Sequence, residues 1–324
     1  MTRLMRTLAA ALALMAGAAA IAQEFPSRPI RMIVPFAAGG PTDVVGRQVA
    51  QRMGQILGQS IVVDNRTGAG STLGSDVVAK APADGYTLLF GTFSMAVNAT
   101  LYPKLPYDPI NDFASIGKVA NTYLVLVTHP SFPARNLKEL VDTIKASPGR
   151  YNFGSAGIGS GLHLAAEMLH ARADIKGVTH VPYRGNAPMV PALIGGELSY
   201  GFLGMDAAVP HIKSGKLKAI AVTSSRRDRL LPEVPTVAES GLAGFEVGIW
   251  MVMQAPKGTP APVVRKLNEA LNRALATPEF VEMANNFAGM VPMAPSTPEQ
   301  ADAFVRDEIR LWAPVVRASG AKPE

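Results

Sequence analysis

From about residue 29 onward, short continuous apolar runs alternate with longer stretches in which apolar residues recur every three or four positions. The first pattern is that of buried strands, the second that of amphipathic helices. The spacing predicts strands over 29–36, 61–64, 86–91, 123–128, 151–154, 178–181, 198–203, 219–223 and 248–254. It predicts helices over 44–57, 73–81, 136–147, 163–170, 189–194, 261–276 and 298–318, the last interrupted near Pro314. Strands that alternate with helices in this way specify an α/β fold with largely parallel sheets. The runs at 123–128 and 248–254 bracket the middle of the chain, which suggests that the chain enters a second lobe once and returns once. The expected division is lobe 1 over 23–122 and 248–324, lobe 2 over 123–247, with a two-strand hinge.

Two junctions between a strand pattern and a helix pattern are rich in glycine: Ile33-Val-Pro-Phe-Ala-Ala-Gly-Gly-Pro-Thr-Asp43 and Tyr151-Asn-Phe-Gly-Ser-Ala-Gly-Ile-Gly-Ser-Gly161. A helix start leaves backbone N–H groups unpaired and carries partial positive charge, and glycine lets the main chain approach an anion closely. One such junction in each half points to two lobes closing on one anion. In the first, Gly39 and Gly40 permit tight geometry, Pro41 suits a first helical turn, and Thr42 or Asp43 is placed to cap or, for Asp43, to meet a ligand amine or hydroxyl. In the second, Ser155, Ser160 and the backbone from Gly157 to Gly161 supply small donors.

The first residues stand outside this scheme. Arg3 and Arg6 precede an apolar run from Leu8 to Ala20, and Ala20-Ile-Ala22 is a small-x-small cleavage pattern, so residues 1–22 read as a signal peptide. The run is too short to span a bilayer. Cleavage takes 22 of 324 residues, leaves 302, and removes two Arg, which lowers the net charge from +6 to +4. The chain has no Cys, so no disulfide can staple an exported product, and the 48% hydrophobic content must supply the core. A modest positive charge without basic runs interleaved with aromatics excludes nucleic acid as a partner.

Other chemistry fares less well. Gly68-Ala-Gly-Ser-Thr-Leu-Gly74 approaches a dinucleotide fingerprint, yet Leu73 stands where the third glycine belongs, and close packing of a helix on the sheet explains the loop as well. His163, Glu167 and His170 share a helical face as metal ligands do, but Leu164 and Leu169 give that helix core residues and no second ligand cluster accompanies it. There is no Cys nucleophile and no G-x-S-x-G elbow. Asp206 follows an apolar strand at the edge where open α/β sheets bind ligands, with a helix cap as the alternative role. Trp250 is either core or cleft wall.

With these residues in view, the mature chain resembles the Bug family of extracytoplasmic solute receptors, the substrate-binding components of tripartite tricarboxylate transporters. The likeness is carried by Phe25-Pro-Ser-Arg-Pro-Ile30, Pro35-Phe-Ala-Ala-Gly-Gly40 with Asp43, Asn65-Arg66 before Gly68-Ala-Gly70, and Ala83-Asp-Gly-Tyr-Thr-Leu88. It continues through Gly154-Ser-Ala-Gly157, His163-Leu164, Val181-Pro-Tyr-Arg-Gly185, Leu193-Ile-Gly-Gly196, Pro210-His-Ile-Lys-Ser-Gly-Lys216 and Val234-Pro-Thr-Val-Ala-Glu239.

The resemblance implies a two-lobed periplasmic binding protein of type II-like architecture, its two mainly parallel sheets joined by a two-strand hinge. It implies a monomer without cofactor, metal or catalysis, which closes on a small organic carboxylate and docks on membrane permease subunits. Carried onto this chain, the ligand contacts are Phe36, Ala38, Gly39, Gly40 and Asp43 in one lobe and Ser155, Gly157, Gly159 and Ser160 in the other. Thr92 and Ser94, in the loop after the third strand, and Asp206 are secondary contacts. Ser71 stands where the family commonly has glycine, Ala192 where aspartate is frequent, and Met251-Val252 where a small residue is usual; a bulkier, more apolar cleft wall follows if Val252 faces it. An exported α/β enzyme, or a receptor that feeds a sensor kinase, are the rival readings.

Overall fold

The computed structural model describes residues 25–323, so the expected signal peptide lies outside the described residues. The first unit runs β1 (Ile30–Val34), α1 (Pro41–Leu57), β2 (Ile61–Asn65), a short 3-10 turn at Ala69–Ser71, α2 (Thr72–Ala79), β3 (Thr87–Thr92) and α3 (Ser94–Leu101). The long β4 (Phe113–Thr128) follows, then α4 (Leu137–Lys145), β5 (Asn152–Ser155), α5 (Gly161–Ala173), β6 (Thr179–Pro182), α6 (Asn186–Ile194), β7 (Tyr200–Gly204), α7 (Met205–Lys213) and β8 (Lys218–Val222). The chain returns through β9 (Gly248–Pro256) and finishes with α8 (Ala261–Leu275), α9 (Pro278–Asn286), β10 (Met290–Pro292) and α10 (Pro298–Ala318).

The expected pair of sheets is one continuous sheet in two halves, ordered β2-β1-β3-β9-β4-β7-β5-β6, with β8 and β10 also paired to β4. Parallel strand pairs form β2-β1-β3 and β6-β5-β7, one trio in each half, with an isolated parallel bridge from Val222 to Thr236. The strands that join the halves run antiparallel. β4 begins ten residues before the expected run and spans both halves: Phe113–Tyr123 pair with β9, Leu124–Thr128 with β7. Ser115, Gly117, Lys118 and Asn121 hide this extension by breaking the apolar run, and the register slips in the same stretch between Ser115 and Gly117 and between Lys118 and Ala120. Such bulges bend and twist a long strand, as a strand shared by two halves requires.

Helix ends follow their local chemistry. α1 opens on Pro41 and closes on the left-handed Gly58, the Pro-in, Gly-out asymmetry of helix termini. In α10, Thr297 and Gln300 form a reciprocal capping box. That helix continues through Pro314 without the expected interruption, anchored by buried Ala301, Val305, Ile309, Trp312 and Val316 along one face. Thr92 ends β3 and Ser94 opens α3, so neither sits in the loop the sequence suggested.

Two buried apolar clusters fill the molecule. One lies between β1, β3 and β9 on one side and α1, α8 and α9 on the other. The other runs without a break from Ile33, Leu89 and Phe93 in the first half to Leu126, Phe153 and Phe202 in the second, and takes in Trp250 and Trp312. Trp250 is therefore core, its indole N–H donating to Glu308 Oε2 at 2.7 Å.

Candidate functional site

A cavity of about 430 Å³ opens between the halves, walled by Phe36, Thr92, Phe93, Ser94, Asn98, Leu101 and Tyr102 from one side and by Ala156–Gly161, Tyr183 and Arg184 from the other. Ile249, at the start of β9, also lines it. A larger hollow of about 640 Å³ lies around Tyr123, Arg226, Arg229 and Gly289. Neither glycine junction contributes to it, so the smaller cavity is the candidate site.

The first junction is held from behind. Asp43 does not cap α1 from the N-cap position, which Gly40 occupies; it sits three residues inside and reaches back. Its carboxylate accepts from the Gly39 N–H at 2.9 Å, Arg47 Nε at 2.9 Å and Asn65 Nδ2 at 2.9 Å. Asn65 also donates to the Phe36 carbonyl at 2.9 Å, which fixes the end of β2 to the loop. Burial pushes the Asp43 carboxyl up, but the bonds from Arg47, Gly39 and Asn65 outweigh it and hold the group below the ordinary aspartate range.

The second junction is tied in a similar way. Ser155 Oγ accepts from the Gly157 N–H at 3.2 Å and lies 2.7 Å from His180 Nε2. Ser160 caps α5, its Oγ accepting from the His163 N–H at 3.2 Å. Gly157 and Gly159 take φ of +124° and +74°, open to glycine at little cost. On the floor, Ser94 Oγ lies 2.9 Å from Thr92 Oγ1 and 2.7 Å from Ser71 Oγ, and Asn98 Nδ2 donates to the Gly70 carbonyl at 2.7 Å. The third glycine loop is explained by packing: a Cβ on Gly74 would stand 2.7 Å from both the Pro35 side chain and the Arg66 carbonyl.

Of the residues singled out from sequence, Phe36, Thr92, Ser94, Gly157, Gly159 and Ser160 line this one cavity. Ala38 and Gly39 are exposed and Gly40 half-exposed beyond its wall, while Asp43 and Ser155 are buried behind their loops. Asp206, in the first turn of α7, borders a separate shallow hollow with Val190 and Pro210. Val252 is fully buried, so the apolar bulk at the crossing comes from Ile249.

Sequence reasoning passed over Tyr183 and Arg184, although both lie in the Val181-Pro-Tyr-Arg-Gly185 motif. Tyr183 N–H donates to the Ser155 carbonyl at 2.9 Å and Gly185 N–H to the Ala156 carbonyl at 3.2 Å, which pins Arg184 beside the second junction. Among the described residues Arg184 is the one charged side chain in the cavity wall, is exposed, and makes no ion pair. The arrangement can hold an anion: helix N-termini, hydroxyls and one guanidinium face a cavity in whose described wall no carboxylate stands.

Residues 45–321 match the family model described as the tripartite tricarboxylate transporter family receptor. The chain belongs to that family. It is 41% identical to protein BugT of Bordetella pertussis over 99% of both chains. Among solved structures it is similar to MatC from Rhodopseudomonas palustris with bound malate, at 36% identity and a TM-score of 0.75 over 90% of this chain and 100% of that one. A second protein of that organism, solved with adipate, superposes with a TM-score of 0.78 at 31% identity over 93% of this chain and 100% of its own. The family receptors thus share this two-lobed architecture.

Proposed function

We propose that this protein is a periplasmic receptor that captures a small organic dicarboxylate between its lobes and delivers it to the membrane subunits of a tripartite tricarboxylate-type transporter. The observation that carries the reading is the shared cavity, which brings Phe36 from the first glycine junction and Gly157, Gly159 and Ser160 from the second onto one space. The N–H groups at the start of α5 and the hydroxyls of Ser94, Thr92 and Ser160 suit one carboxylate. Arg184 suits a second, and a cavity of about 430 Å³ accepts a short diacid. Family relatives with malate and with adipate support this size and charge class.

A lobe division at 122/123 and 247/248 goes with this reading; it is supported by the change of partner along β4, from β9 up to Tyr123 to β7 from Leu124, and by the start of β9 at Gly248, and a ligand that touches both halves favours the closed form by its extra contacts in that form. Export through residues 1–22 supplies the compartment. Titration calorimetry of residues 23–324 with malate, adipate and monocarboxylates of matched length tests the reading. Saturable binding of a diacid is expected. If no organic acid gives heat or a thermal shift, the receptor reading falls.

A further inference from the structure

The two junctions share a device that their sequences do not advertise. In α1 the N-cap is Gly40, and Asp43, at the third helical position, reaches back to accept from Gly39 N–H at 2.9 Å. In α5 the N-cap is Ser160, and His163, also third, reaches back so that Nδ1 accepts from Gly159 N–H at 3.2 Å. Gly39 and Gly159 have nearly the same left-handed φ, +79° and +74°. Each is the residue before the N-cap, and each has its amide captured by the side chain four positions on. This resembles a capping box in which the backward acceptor bonds one residue further out.

The acceptors differ in charge. A carboxylate at a helix start opposes an incoming anion, and in lobe 1 this is offset by Arg47, paired with Asp43 at 2.9 Å. In lobe 2 no cation among the described residues pairs with the acceptor itself, and Arg184 stands across the loop from it: the ring of His163 stacks on that of His180 with centroids 4.1 Å apart, and Glu167 Oε1 lies 3.7 Å from its Nε2. An imidazole that accepts through Nδ1 carries its proton on Nε2 and is neutral.

We propose that His163 is the positioning residue of the lobe 2 anion loop, the neutral counterpart of Asp43. Its Nδ1 fixes Gly159 and thereby the start of α5, whose first N–H groups have no partner within the helix, without adding negative charge where the ligand carboxylate is received. His180 supports the same loop from the other side through Ser155 Oγ at 2.7 Å, which in turn accepts from Gly157 N–H. The loop's two left-handed glycines are thus both fastened to one imidazole stack, Gly159 directly to the buried His163 and Gly157 through Ser155 to the half-buried His180. The choice of imidazole over carboxylate separates this role from ordinary helix capping, in which acidic residues are favoured in the first turn.

This inference rests on the carboxylate-receptor reading for its binding arm but not for its loop arm. His163→Asn keeps an acceptor near the Nδ1 position, His163→Asp keeps it but adds charge, and His163→Leu removes it. Amide hydrogen exchange of residues 157–162 in the ligand-free protein reads the loop; calorimetry with malate and adipate reads binding. Wild type and His163→Asn are expected to protect the Gly159 amide, and His163→Leu to lose at least about tenfold of that protection. Both acidic and apolar variants are expected to weaken diacid binding by about tenfold or more, the acidic one with its loop still protected. Unchanged Gly159 exchange in His163→Leu overturns the positioning role. Equal affinity for His163→Asp and His163→Asn overturns the charge argument. If the wild type binds neither diacid, the receptor reading fails while the exchange data still decide the loop. Should His163→Leu not fold, His163→Ala, which also lacks the acceptor, takes its place in the exchange comparison, and the asparagine and aspartate pair still decides the charge argument.

Discussion

Arg184 is where selectivity between one and two carboxylates is decided in the proposed site. Its backbone is pinned to the second junction through Tyr183 and Gly185, while its guanidinium stays exposed and has no ion-pair partner among the described residues. A charge-assisted bond at an exposed position is worth less than a buried one, so Arg184→Ala is expected to cost a diacid about tenfold in affinity. A monocarboxylate of matched length should bind the variant and the parent equally; calorimetry on both acids makes the comparison. Acid sensitivity belongs to the neighbouring imidazoles. Burial and the adjacent His180 push His163 down to about 4 from its ordinary 6.5. Burial also lowers His180, and the groups facing the pair are Glu167 and His170 of α5 and, beyond His170, Tyr200 of β7. A histidine depressed on folding contributes stability that is fully present above its unfolded pKa and is lost as pH falls toward the folded value. For His163 alone the loss amounts to about 2 kcal/mol by pH 5 relative to pH 7. Melting temperatures across pH 7 to 4.5 should therefore fall by several degrees, and His163→Asn should flatten that slope.

At the scale of elements, the tightest approach in the cavity wall is between the start of α5 and the start of β9. A Cβ on Gly161 would stand 1.9 Å from Ile249 Cδ1, the flexible end of a side chain that lines the cavity. Gly161→Ala is expected to cost only about 1–2 kcal/mol, because Ile249 can turn aside. It should nevertheless weaken ligand binding, since the displaced side chain alters the cavity wall. Gly161→Ala with Ile249→Ala should restore much of that affinity, and a double-mutant cycle by calorimetry and urea unfolding reads both. The same pair marks the limit of what sequence discloses. The glycine junctions were legible because a strand pattern, a glycine cluster and a helix pattern adjoin in the chain. Ile249 and Arg184 enter the wall through pairings between distant segments, which periodicity does not encode. α3 escaped for a different reason: Met95, Ala96, Val97 and Asn98 are all buried, so the helix has no polar face to set against an apolar one. In α7, Pro210 masks a helix that continues past it. Pro314 shows the converse, since its ring signals a break that the packing of Trp312 and Val316 overrides.

Across the whole molecule, α10 joins the halves. It packs on α3, which lines the cavity, on the shared strand β4, and on α5 of the second half. Its Trp312 meets Phe93 edge-on with centroids 4.8 Å apart, and Phe93 in turn lines the cavity. Glu308 accepts from both indoles, Trp312 at 3.0 Å and Trp250 at 2.7 Å. Burial pushes its carboxyl up, in opposition to those two bonds. Glu308→Leu leaves both indole donors buried and without an acceptor, at an expected cost of about 2–5 kcal/mol. Glu308→Gln keeps an amide oxygen in place and should cost less than half as much. Because one apolar cluster runs from Ile33 to Phe202 through both tryptophans, the two halves should unfold together. Urea unfolding followed by tryptophan fluorescence, which reports the α10 junction, and by far-UV circular dichroism, which reports both halves, should give coincident midpoints in the parent. Glu308→Leu should shift both midpoints by the same amount. Separate transitions in the parent would mean that α10 does not couple the halves, and that cleft closure is governed by β4 and β9 alone.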